Sequence, residues 1–489
     1  MVLKDSNEHI PNVTQSASQS PPVSPSVAIN NLQKEAARLQ GTICGVPRRV
    51  VLVVLSCLGL SISYADRSNI AIAIIPMSKE FGWDPAIEGA IFSCFFYGYM
   101  ATQILGGYVA DRFGGKYVFA AGALGWSVFT LITPFAARWH FAALIVCRVF
   151  LGIAEGVSYP AINSLLGKWL PIGERSRATA AVNSFSYAGA IMALLISAPM
   201  AASSTIGWPW VFYIFGGVGI VWMLPWLLLI RSHPAVALPP DSTVPGKHQL
   251  EMNTVPPDPA LNGSPTKEQQ HDANEPPLKR RPVPWKRILR NKYTWAILVN
   301  QYCNCWGFFV LLQWLPTYYR QEFGVDLADL GLISIVPYCV QFTVGLAVGF
   351  VADWMVYRLK VPLVWIRKGS QTIALLGAAF FMLMAGFVAK NITQGVIFIT
   401  LALGLNSLSN VGLSVAHFDI NPEYAGVIFG LGNTAATLTG IVGVQVTGLI
   451  LKWTGSWALV FLAAAFHYVI GVIVWLAFAH PDRKLVLTP

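Results

Sequence analysis

The chain has 489 residues and a formal net charge of +10, with 55% hydrophobic and 11% charged residues. A soluble chain carries about 25% charged residues, so this composition, with a mean hydropathy of +0.55, excludes an ordinary soluble protein and calls for a polytopic membrane protein.

Residues 1–47, which include NVTQSASQSPPVSPS, hold too little apolar surface to fold and are expected to form a disordered tail. No apolar core follows a basic start, so no cleavable signal peptide is expected. Asp5, Glu8 and Glu35 stand where a transit peptide avoids acids, which leaves organelle import without support.

Apolar stretches follow at 50–75, 87–110, 117–136, 141–166, 178–202 and 209–230, then at 293–316, 328–352, 370–388, 394–416, 424–450 and 457–479. Each can cross a hydrocarbon core of roughly 30 Å as a helix. An all-α membrane protein of twelve helices is therefore predicted, in two six-helix halves at 48–230 and 293–480. The segment between them, 231–292, is rich in Pro, Asn, Gln and Ser and reads as a solvated linker, and 481–489 form a short tail.

Lysine and arginine set the orientation. Arg48 with Arg49, Arg112 with Lys116, the linker's LKRRPVPWKRILRNK, and Arg367 with Lys368 share one side if twelve helices alternate. Both termini and the linker are then cytoplasmic. A pI near 9.2 follows from this topology and from contact with anionic membrane lipid. Nucleic acid is not an expected partner, because the basic residues sit at membrane edges and not on one soluble face.

The seven cysteines lie in or beside apolar spans without metal-ligand spacing, and Cys303-Asn304-Cys305 reads as small buried residues. No GxSxG, P-loop or HExxH occurs, so neither an enzyme nor a metal or cofactor is expected.

The functional signal is charge inside the apolar spans. Asp66 and Arg67 stand side by side in the first. In the fourth, Arg148 and Glu155 are seven residues apart, two turns along one helix face, with Gly152 and Tyr159 on the same stripe. Ionisable groups at that depth are expensive and mark function by default, although two acids and two bases could also neutralise one another in a network that only fixes packing. The second half offers mainly neutral groups such as Asn304, Asn406 and Asn433. Arg67 presents a planar, permanently charged fork suited to carboxylate or phosphate. Asp66 and Glu155 are carboxylates that could take and release a coupling cation.

GGYVADRFGGK (106–116) closes the second span and VGFVADWMVYRLK (348–360) the eighth, an internal repeat at matching places in the two halves. From Gly107 to Lys116 the turn resembles the Gly-x-x-x-Asp-Arg-x-Gly-x-(Arg/Lys) motif of the major facilitator superfamily. Longer stretches, ADRSNIAIAIIPMSKEFGW, RVFLGIAEGVSYPAINSLLGKWLPIGERSRA, LLQWLPTYY and HFDINPEYAGVIFGLGNTAATLTG, resemble its anion:cation symporter branch over residues 48–480. That branch includes plant phosphate transporters, the bacterial galactonate symporter, sialin and vesicular glutamate transporters.

The resemblance implies the major facilitator fold and a role for Asp66, Arg67, Tyr99 and Glu155 in coupling and substrate contact. It implies an Arg148 that pairs with the acid of the fourth helix and a substrate-contacting amide at Asn433. Tyr159 joins the expected substrate-binding set, and Asp111, Arg112 and Asp353 are expected to latch a conformation. Phe92 and Asn304 replace a histidine and an arginine of the vesicular glutamate transporters, so glutamate loading is not expected. The expected function is secondary active transport of a small anion, inorganic phosphate or an organic carboxylate, coupled to H⁺ or Na⁺ by alternating access in a monomer. A potential-driven anion uniporter and a non-transporting sensor on a carrier fold are the alternatives.

Overall fold

The computed structural model describes residues 42–43, 45–232, 284–414, 416–417 and 425–479. The expected tails and most of the linker lie outside them. Two-residue strands β1 (Thr42–Ile43) and β2 (Val46–Pro47) pair antiparallel ahead of the first helix.

The first group of helices comprises α1 (Arg48–Ser68), α2 (Ile70–Phe81), α3 (Pro85–Phe113), α4 (Gly115–Trp139), α5 (Phe141–Gly156), α6 (Ser158–Trp169), α7 (Ile172–Ala202) and α8 (Trp208–Leu229). The short α9 (Trp285–Arg290) leads into α10 (Lys292–Phe323), α11 (Leu327–Tyr357), α12 (Leu363–Phe387), α13 (Ile392–Asn406), α14 (Ser409–Gly412), α15 (Ala425–Thr454) and α16 (Trp457–Phe478). Eleven stretches among the described residues are long and apolar enough to cross a membrane, with α1–α2, α5–α6 and α13–α14 each counted once. The 29-residue α3 packs among them.

Helices prevail because a backbone surrounded by hydrocarbon must satisfy its own N–H and C=O groups. Their ends carry specific stop signals. Gly82 and Gly324 close α2 and α10 at φ 67° and 68°, a left-handed conformation open to glycine. Asp84 caps α3 by accepting from the Ile87 N–H at 2.9 Å, and Asn391 caps α13 through the Gln394 N–H at 3.0 Å.

The two groups repeat a tie at the linker side. Lys116, at the start of α4, donates to the Leu227 carbonyl near the end of α8 at 2.7 Å, and Trp226 returns Nε1–H to the Lys116 carbonyl at 3.0 Å. In the second group Lys368 of α12 donates to Leu476 of α16 at 2.9 Å, and Trp475 donates to the Arg367 carbonyl at 3.3 Å. Each lysine sits on orphan carbonyls at a helix C-terminus, where a cation is favoured by both hydrogen bonding and the helix dipole.

The groups meet where α3 runs along α15 and α7 along α11. On the side away from the linker, a Cβ on Gly89 would lie 3.3 Å from the Cα of Gly448, so the two backbones touch. Ser93 Oγ donates to Gln445 Oε1 at 3.1 Å, and Lys452 Nζ reaches Asp84 Oδ2 at 2.9 Å. The Lys452 ammonium, with the Ile87 N–H behind it, holds the Asp84 carboxyl below its ordinary range. A depressed carboxylate contributes to closure above its ordinary range and loses that contribution as pH falls through the depressed value. The Asp84–Lys452 contribution to closure is therefore expected to be insensitive to pH above about 5.

Asp84→Asn keeps the helix cap and removes the charge. Because the pair is partly exposed, an effect of up to about 1 kcal/mol applies, or roughly a fivefold rise in the open population at most. Labelling of Ser93→Cys by an impermeant maleimide reads that population. An unchanged rate in the Asp84→Asn background would remove the pair from the seam's energetics.

Candidate substrate and coupling site

α1 and α2 run on through Asn69, which keeps a helical backbone (φ −59°, ψ −32°) and donates its N–H to the Ala65 carbonyl at 2.9 Å, so Asp66 and Arg67 lie inside a continuous first span. α5 ends one residue past Glu155, and α6 restarts at Ser158. Such breaks at membrane depth are tolerated where the freed backbone groups face protein or a cavity. Of the two charged stretches, the one at Glu155 thus stands at an interrupted helix, where the Ile153 carbonyl accepts from the Thr102 hydroxyl at 2.9 Å.

Glycine brings the next wall close. A Cβ on Gly98 would strike the Val149 carbonyl, one on Gly152 the Phe95 carbonyl, and one on Gly156 the Thr102 hydroxyl. Small residues let α3 and α5 pack backbone to backbone. Phe95 and Tyr99 of α3 consequently lie against the charged face of α5.

Arg67 donates from Nε at 3.2 Å and Nη2 at 2.8 Å to a single oxygen, Oε2, of Glu155. Both side chains are sealed, 2% and 0% exposed. The guanidinium carbon lies 4.6 Å from the Tyr64 ring centre, 4.7 Å from Phe95 and 4.6 Å from Tyr99. Aromatic faces attract a desolvated cation, so the three rings help to fix the guanidinium. Tyr159 donates its hydroxyl to that of Tyr64 at 3.3 Å, with the rings edge to face.

The other acid and base differ. Both Asp66 oxygens, all three Arg148 nitrogens and Oε1 of Glu155 are buried without a hydrogen bond among the described residues. The pair implied by resemblance, Arg148 with Glu155, is not the one formed. Arg148 stands two turns away on the same helix, about 10 Å along its axis, whereas Arg67 approaches from the facing helix. Arg148 instead lies 5.6 Å from the Phe95 ring centre.

The remaining expected residues fall elsewhere. Asn433 is half-buried on α15, where its carbonyl accepts from Thr437 at 2.9 Å, and no described contact joins it to the charged cluster. Arg112 is exposed and donates to the Tyr108 hydroxyl at 3.3 Å. The side chains of Asp111 and Asp353 lie outside the described residues.

In the second group the Asn304 carbonyl oxygen accepts from Asn406 at 2.9 Å and from Ser409 at 2.8 Å, across the break between α13 and α14. Gln371 donates to Asn300 at 3.2 Å, and Asn300 to the Gly471 carbonyl at 2.9 Å. This wall is polar and uncharged.

Tyr64 and Phe95 are the members that sequence reasoning missed. The signal was present as spacing: Tyr64 is three residues before Arg67, and Phe95 four before Tyr99, so each shares a helix face with an expected site residue. Chemically, the arrangement holds one arginine by one carboxylate oxygen. An anion can compete with Glu155 for the fork, and neutralising Glu155 frees the fork to receive one.

Residues 56–444 match the family model described as Major Facilitator Superfamily. The chain is 40% identical over 439 residues to the chloroplastic ascorbate transporter of Arabidopsis thaliana, covering 90% of this chain and 76% of that protein. It is 38% identical over 437 residues to the chloroplastic sodium-dependent phosphate transport protein 1 of Arabidopsis thaliana, covering 89% and 80% respectively. The crystal structure of a bacterial homolog to the human lysosomal transporter Spinster, inward-facing and occupied, superposes with a TM-score of 0.66 at 16% identity, covering 91% of this chain and 98% of that one.

Proposed function

The chain belongs to the Major Facilitator Superfamily, and from that premise we propose that it is a cation-coupled transporter of a small anion, working by alternating access between its two groups of helices. Its family and its relatives are transporters, not enzymes, and those relatives match the anion:cation symporter branch. The ascorbate and phosphate transporters among them carry anions of different shape. A guanidinium fork suits both a carboxylate or enolate and a phosphate.

One observation carries the proposal: the buried Arg67–Glu155 pair, made through one carboxylate oxygen and walled by three rings. What sets this cluster apart from most other buried polar groups is that its members carry charge. Here Asp66, Arg148 and the second oxygen of Glu155 make no well-formed hydrogen bond among the described residues, with the Thr130 hydroxyl beside Asp66 and the Ser63 hydroxyl beside Glu155. A buried polar group without a partner costs free energy, and a charged one more. Arrival of an anion at Arg67 together with a cation at Glu155 or Asp66 repairs that deficit, which is the energetic basis for moving them together. The cytoplasm, by the distribution of lysine and arginine, is the linker side. Asp111, Arg112 and Asp353 latch the linker-side ends of α3 and α11, and one chain is a complete carrier.

Uptake into proteoliposomes tests the reading. Phosphate, ascorbate and simple carboxylates would each be offered with a pH gradient alone, a Na⁺ gradient alone, or a membrane potential alone. One or more anions is expected to accumulate against its gradient under one cation gradient. Accumulation under potential alone would convert the proposal to a uniporter, and no uptake of any anion would overturn it.

A further inference from the structure

α9 is a six-residue helix of sequence WKRILR, placed by a turn at Asn291 directly ahead of α10. Its one buried side chain, Ile288 at 0% exposure, is set into an apolar cluster with Tyr293, Ile297, Leu413, Ile428 and Trp475. The turn is braced, because Asn291 Oδ1 accepts from the Tyr293 N–H at 2.7 Å and Trp295 Nε1 donates to the Leu289 carbonyl at 2.7 Å. The helix is thus fastened to the linker end of the second group with its remaining faces outward.

Those faces divide by chemistry. At about 100° per residue, Trp285 and Leu289 share one side, and they are 51% and 43% exposed. Trp295, 53% exposed, continues that side onto the first turn of α10. Lys286 and Arg290 share the adjoining side, and Lys292 follows at the start of α10, all of them exposed. Tryptophan and leucine beside a row of cations, at the point where a membrane-spanning helix begins, match the boundary between acyl chains and headgroups. Water would leave the tryptophans unsatisfied, and hydrocarbon would leave the cations so.

We propose that α9 and the first turn of α10 form a docking surface for the headgroups of anionic phospholipid in the leaflet on the linker side. Lys286, Arg290 and Lys292 contact the phosphates while Trp285, Leu289 and Trp295 enter the interface beneath them. The occupant is lipid rather than a soluble phosphate because the apolar side adjoins the cationic one and needs cover of its own. This assignment rests on the membrane-spanning fold alone and is independent of which anion is carried.

The test uses the purified full chain in neutral detergent, with thermal unfolding followed as phosphatidylglycerol or phosphatidylcholine is added. Phosphatidylglycerol is expected to raise the melting temperature of the wild type, and phosphatidylcholine to leave it unchanged. Each surface cation is worth about a fivefold change in apparent lipid affinity. The variant Lys286→Gln/Arg290→Gln/Lys292→Gln should therefore bind roughly a hundredfold more weakly, and Arg290→Gln alone, a milder change, about fivefold.

A control with the same net charge, Arg358→Gln/Lys360→Gln/Lys390→Gln, should keep most of the protection. The proposal is overturned if the control loses as much as the triple variant. Equal protection by phosphatidylcholine, or a protection by inorganic phosphate that the triple variant abolishes, would overturn it as well.

Discussion

Arg67→Ala is expected to abolish anion uptake in reconstituted vesicles, by about a hundredfold or more at matched protein. Among the described residues, the guanidinium is the one cation that is both paired with a carboxylate and surrounded by three rings. Removing it deletes a charge-assisted fork, and a fork to an anion in a water-poor site is worth several kcal/mol. The same change strands the Glu155 carboxylate, which accepts from Arg67 at both Nε and Nη2. Breaking a buried pair costs about 3–5 kcal/mol of stability, so thermal unfolding must be recorded beside transport.

Arg67→Lys separates the two effects. An ammonium can still neutralise Glu155, which should restore much of the melting temperature. It is a point charge without a fork and stacks poorly between rings, so uptake should stay at least tenfold below wild type, about 1.4 kcal/mol. Uptake in Arg67→Ala at the wild-type level would refute the assignment of Arg67 as the anion's contact.

The membrane class and helical architecture were legible in the sequence because hydropathy over about 20 residues is a local property that the bilayer enforces. Asp66, Arg67, Arg148 and Glu155 were legible for the same reason, since charges in apolar spans stand out. The break after Gly156 was hidden, because Val157 lies within a run whose hydropathy reads straight through it. Partner choice was hidden as well. The spacing of Arg148 and Glu155 shows a shared face, but which cation reaches the carboxylate depends on how closely α1, α3 and α5 approach. That distance is set by Gly98, Gly152 and Gly156 acting across helices. The aromatic wall is a mixed case: Tyr64 and Phe95 sit at helical spacing from expected residues, yet aromatics at that spacing are common in any packed helix.

Glu155→Gln separates symport from uniport. In a symporter this carboxylate takes and releases a cation in each cycle, and its release of Arg67 is what admits the anion. The amide is close to isosteric and can still accept from Arg67 Nη2, but it carries no charge and cannot titrate. Arg67 should then be permanently available, as though the cation were always bound. Net uptake driven by a cation gradient is expected to stop, since the empty carrier cannot shed the cation that resets it. Exchange of labelled for unlabelled anion should retain a substantial fraction of the wild-type rate, because the loaded carrier can still reorient. In a uniporter Glu155 would serve only to hold Arg67 in place, and the weaker neutral hydrogen bond would lower both activities by a similar factor. Net uptake and counterflow on the same vesicles decide between them. Equal loss in the two assays would remove Glu155 from coupling and leave Asp66 as the remaining titratable group of the site, whereas a tenfold or larger excess loss of net uptake would assign the coupling cation to Glu155.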